Sequence, residues 1–108
     1  MNRLEYLFTC LSEECNEVGK IASKSARFGP YDYHPKHEVT NNRLLALELN
    51  DLFAVIEMIV EEGIELPHLQ DVLMIDQKKR KVERYLKLHL QDNAEPDEMV
   101  QAALVGKL

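Results

Sequence analysis

Two pairs of carboxylates, Glu14/Glu17 and Glu48/Asp51, stand three residues apart in segments whose other residues are largely apolar. A helix turns about 100° per residue, so side chains at i and i+3 project from nearly the same side. An ionised carboxylate on an apolar surface costs several kcal/mol unless it is paired, protonated or bound to a cation (roughly, from transfer and burial data). Four of them brought together repel one another and raise each other's pKa values unless a divalent ion supplies positive charge. Hard oxygen ligands of this kind suit Mg²⁺, with Mn²⁺ as a substitute. Spacing alone is weak: the chain has 19 acidic residues, and Glu62/Glu65 and Glu95/Glu98 repeat the pattern around Gly63 and Pro96. What distinguishes the first two pairs is their apolar setting.

The elements that must hold them follow from hydrophobic spacing. Over residues 2–28, Leu4, Leu7, Leu11, Cys15, Val18 and Ala22 share one helical arc, with Glu14 inside it and Glu17 at its edge. Over residues 42–62 nearly every position from Leu44 to Val60 is apolar, and Arg43, Asn50, Glu57 and Glu61 gather on one narrow side. Glu48 and Asp51 do not join them. They interrupt the apolar surface instead. A third helical region is predicted from His68 to about Gln91, with a break near residues 74–76. Pro96 is placed to start a short helix through Leu104. Strand-like alternation is missing, so the predicted fold is all-α.

The two acidic motifs, E-E-C-N-E at residues 13–17 and E-L-N-D at residues 48–51, resemble the ExxE…ExxD signature of the MazG-like all-α NTP pyrophosphohydrolases. The strings S-K-S-A-R-F-G (residues 23–29) and L-N-D-L-F-A-V-I-E (residues 49–57) are similar to short phage and prophage members. The likeness runs from about Leu4 to about Leu86. It implies a helical bundle completed by homo-oligomerisation, and cleavage of a nucleoside triphosphate to the monophosphate and pyrophosphate. By that resemblance Glu14, Glu17, Glu48 and Asp51 hold Mg²⁺, and Glu14 or Glu17 orients the attacking water or takes its proton. Two departures stand out: the spacer between the motifs is longer than in many members, and Leu47 occupies a position often acidic.

Cations for a polyphosphate come from two places. Lys24 and Arg27 follow the first acidic pair, where they either bind phosphate or complement the helix C-terminus before Gly29. Lys78, Lys79, Arg80, Lys81, Arg84 and Lys87 hold six of the thirteen cationic residues of a chain with net charge −6. Within that run Lys78, Lys81 and Tyr85 share a helical face, and the resemblance implies a Lys and a Tyr from this region reaching substrate. Most of the run reads as a solvated surface. A nucleic-acid site is not expected, since the chain is acidic and no aromatics interleave with the basic residues. No Cys or carboxylate stands at metal-ligand spacing from His34 and His37, which lie in a loop around Pro35, and Pro67 breaks the helix that Glu65-x-x-His68 would need as a di-iron motif.

At 108 residues the chain is read as one domain, with residues 92–108 as a tail or short helix. No signal peptide or membrane span is apparent, and Cys10 and Cys15 read as thiols in a reducing compartment, so a cytoplasmic location is expected, the host's if the protein is viral. The nearly all-round apolar character of the second helix predicts a homodimer or homotetramer. Two rival readings remain. One is a non-catalytic oligomerisation or regulatory module whose carboxylates pair with the residues 78–87. The other is a dUTPase- or dCTPase-like enzyme; the absence of tryptophan favours a purine substrate such as dGTP, or broad specificity, over it.

Overall fold

A computed structural model describes residues 1–36 and 38–90. Three helices follow in order: α1 (Arg3–Phe28), α2 (Asn41–Glu61) and α3 (Val72–His89). The described residues contain no strand, only an isolated antiparallel bridge between Tyr33 and Thr40. They divide between two units, with the boundary between Leu66 and Pro67. His37 and the helix expected from Pro96 lie outside the described residues. No helix among the described residues is long and apolar enough to cross a membrane.

The first unit is an α1–α2 hairpin. Asn2 starts α1 by accepting the Glu5 amide at 2.8 Å, which satisfies one of the free N–H groups of the first turn. Gly29 ends it: its backbone lies at φ 95° and ψ 154°, a conformation that a side chain disfavours, while its N–H still bonds the Ser25 carbonyl. The connection over residues 29–40 is well tied to its flanks. Asn41 Nδ2 donates to the Gly29 carbonyl (2.9 Å), and the Asn41 and Asn42 amides donate to Asp32 and Pro30. At the open end Arg3 pairs with Glu62. With one tie at each end, the two helices run antiparallel.

The seam of the hairpin is narrow. Leu7, Ile21 and Ile59 are its buried apolar side chains and Asn41 its buried polar one. Burial of the amide is tolerable because its donor is used. In the second unit, α3 begins later than the spacing predicts and runs unbroken through residues 74–76. His68 and Gln70 adopt left-handed backbone (φ 64° and 61°), which helix cannot include, so residues 67–70 form turns. Asp71 then caps α3 by accepting the Met74 amide at 3.0 Å. Lys87 and His89 lie in its last turn, where cations complement the helix dipole.

Candidate metal centre

Glu14 comes from the inward arc of α1 and Glu48 from that of α2; both are half-buried. Asp51, one turn beyond Glu48, sits at the edge of the seam and is exposed. One carboxylate oxygen from each lies within 4.8 Å of the others, a spacing at which a single cation can be shared. The hairpin thus converts residues 34 and 37 positions apart into one oxygen cluster. Among the described residues, none of the three has a cation within 4.0 Å.

The electrostatics fit that geometry. Partial burial raises the Glu14 pKa above its ordinary 4.5, and the charges of Asp51, Glu48, Glu17 and Glu13 raise it further. A carboxylate with like charges on several sides is one that a divalent cation relieves. The all-oxygen donor set and the open side at Asp51, where waters or phosphates can complete an octahedron, fit Mg²⁺ or Mn²⁺.

Glu17 is not in the cluster. It lies near the same face, but its carboxylate pairs with Lys20 at 3.7 Å and is exposed. Lys24 is seven residues further along α1, about 10 Å by helix rise, on the same side as Glu17. Arg27 lies over the Phe28 ring, 5.3 Å from its centroid, in a cation–π contact. Lys24 and Phe28 also line a depression of about 190 Å³ with Asp32, Tyr33, His34, Pro35 and Asn41. That depression is roughly 15 Å from Glu14 along α1 and is not continuous with the carboxylates. In the second unit Lys78, Lys81 and Tyr85 share an exposed face of α3, as their spacing predicts.

Asn41 escapes a reading by hydrophobic pattern. It is polar and adjoins a predicted helix start, so its spacing gives no sign that it holds the connection; an Asn at a helix entry is the only cue. No family model matches the chain, and no curated protein or solved structure matches it either.

Proposed function

We propose that the protein is a Mg²⁺-dependent nucleoside triphosphate pyrophosphohydrolase of MazG-like type, assembled as a homodimer or homotetramer. The observation that supports it is the meeting of Glu14, Glu48 and Asp51 across two helices, with no cation among the described residues to neutralise them. A salt-bridge scaffold internal to the hairpin would place a Lys or Arg there. Glu14, Glu48 and Asp51 are the metal ligands, and Glu17 joins them by leaving Lys20. When bound, Mg²⁺ would offset phosphate charge and lower the pKa of a water.

The reaction adds a water's oxygen to the α-phosphorus and breaks the bond from that phosphorus to the α–β bridging oxygen, releasing pyrophosphate. The water's proton passes to a carboxylate. Glu14 or Glu17, the acidic pair of α1, takes that proton or orients the water. Lys24 and Arg27 supply positive charge further along α1. Lys78, Lys81 and Tyr85 are included as phosphate donors on the strength of their charge and shared face. A purine nucleotide such as dGTP is the favoured substrate, and a cytoplasmic location with free Cys10 and Cys15 goes with this reading.

The test is incubation of the protein with each common NTP and dNTP plus Mg²⁺, with pyrophosphate and orthophosphate measured separately. Pyrophosphate release that Glu48→Gln abolishes is the expected result. Orthophosphate release, or no turnover and no Mg²⁺ uptake by calorimetry, overturns the assignment and favours a non-catalytic module.

A further inference from the structure

Phe28, Tyr33 and Asn41 meet at the depression beside the closed end of the hairpin. Asn41 precedes Glu48 by seven residues and Phe28 follows Glu14 by fourteen, both close to whole numbers of helical turns. The depression therefore lies on the carboxylate face of both helices. Its two rings are uncovered: Phe28 is 59% and Tyr33 54% exposed, and Arg27 holds the first from one side. Asn41 is the reverse. It is only 5% exposed, yet its side-chain oxygen accepts no hydrogen bond among the described residues. No unpartnered polar atom among them is sealed from solvent, so this oxygen opens on the depression that Asn41 lines. The amide nitrogen serves the fold through Gly29, and the oxygen is left for a ligand.

We infer that this depression takes the base of a nucleotide: the ring stacks on Phe28 and Tyr33, and one of its N–H groups donates to Asn41 Oδ1. Aromatic side chains hold bases by their flat faces, and a single placed acceptor fixes the ring's orientation. Size agrees. About 190 Å³ is less than the roughly 300–1,000 Å³ of a site that encloses a whole drug-sized ligand, so it suits a ring and not an entire nucleotide. Charge gives the direction. Lys24 stands one turn nearer Glu14 than Phe28 does, and Asp32 adds negative charge to the lining, so an anionic tail belongs at Lys24. By helix rise the depression is about 10 Å from Glu48, measured at Asn41, and about 15 Å from Glu14, measured at Lys24. Phosphates that leave the base past Lys24 run along the carboxylate face towards the cluster. That course rests on the proposed pyrophosphohydrolase; the place of the ring does not. Nor does the resemblance supply it, because Tyr33 comes from the connection, the part that is longer than in many members.

The experiment is an NMR titration of the full chain with the four common deoxynucleoside monophosphates, first in EDTA and then in Mg²⁺. Deoxyribose 5-phosphate, which lacks a base, is the control. The Asn41 side-chain amide and the Tyr33 ring are expected to shift with the nucleotides and not with the control. Phe28→Ala and Tyr33→Ala should each raise the dissociation constant about tenfold, the scale of one lost stacking contact. Under turnover each should raise KM by a similar factor. No base-dependent shift at these groups, in EDTA or in Mg²⁺, overturns the inference. So does a dissociation constant that neither alanine variant changes. The two readings separate cleanly. A base-dependent shift at Asn41 without pyrophosphate release leaves the base site standing and removes the catalytic one. Pyrophosphate release with KM unchanged in both variants does the opposite. Both rings are more than half exposed, so helical circular dichroism should persist in the variants. If it is lost, the wild-type shifts decide.

Discussion

The same two helices present two unlike faces. Along one side of the seam Glu14, Glu48 and Asp51 converge, with Glu17 and Lys20 beside them; along the other no charge occurs at all. Hydrophobic burial asks only for the narrow line through Leu7, Ile21 and Ile59, and either flank could then be polar. One flank gathers like charges and the other excludes charge, and neither arrangement is needed to hold the hairpin together. Like charges at close range cost stability, and so does bare apolar surface. A bound cation would lower the first cost, and cover by apolar surface would lower the second.

The largest effect belongs to the acidic side. Glu48→Gln keeps the shape and removes one charge and one ligand oxygen. Under the proposed activity, pyrophosphate release should fall by roughly 10²-fold or more, the scale of losing one electrostatic contact to a transition state. If the two faces act separately, the variant's sedimentation should match that of the wild type. A simultaneous fall in mass would mean that the carboxylates help to hold copies together, and the division between the faces would fail.

A smaller effect, on stability alone, comes from the end of the hairpin that keeps both faces in register. Asn41→Ala leaves the Gly29 carbonyl without its side-chain partner and opens a buried space, at a cost of about 1–3 kcal/mol. Gly29→Ala meets no steric contact, yet forces a side chain into φ 95°, and should cost about 1–3 kcal/mol through backbone strain. Both are read from urea midpoints at constant slope. Equal mass and a shifted midpoint would place these residues in the framework rather than in either face.

Much of the hairpin is legible in the amino-acid order. Helix spacing places α1 and α2 to within a residue at each end, because apolar periodicity over more than twenty positions leaves little choice. It also places Glu14 and Glu48 inward. It does not tell where Glu17 ends, since an exposed side chain with three rotatable bonds chooses between a cluster of like charge and Lys20 by small energies. Nor does it reveal Asn41, whose role depends on a connection with no period. α3 starts later than its spacing predicts for a similar reason: left-handed backbone at His68 and Gln70 has no strong residue signature.

pH offers a finer test of the acidic side. The Glu14 pKa is raised on folding, so the folded chain holds that proton more tightly than the unfolded chain. Between the ordinary value of 4.5 and the raised one, stability therefore falls as pH rises, and above the raised value the penalty is complete. Without metal, Glu14→Gln should raise the melting temperature at pH 7 and flatten this slope, with the gain vanishing below pH ~4. Saturating Mg²⁺ should reverse the order, stabilising the wild type and not the variant. A gain at pH 7 that persists unchanged at acid pH would point to helix propensity instead of charge.

The smallest effect asks which side Glu17 serves. Its pair with Lys20 is exposed and spaced i, i+3, worth about 0.3 kcal/mol or less, so Lys20→Gln should leave the melting temperature nearly unchanged. If Glu17 must abandon Lys20 to reach a bound cation, the same substitution removes that competitor and also one nearby positive charge. Both changes favour the cation, and the Mg²⁺ dissociation constant by calorimetry should fall by about twofold. Glu17→Gln should raise it by a larger factor. If Lys20→Gln weakens Mg²⁺ binding instead, Lys20 is holding Glu17 in a useful place, and the pair is part of the acidic face as it stands.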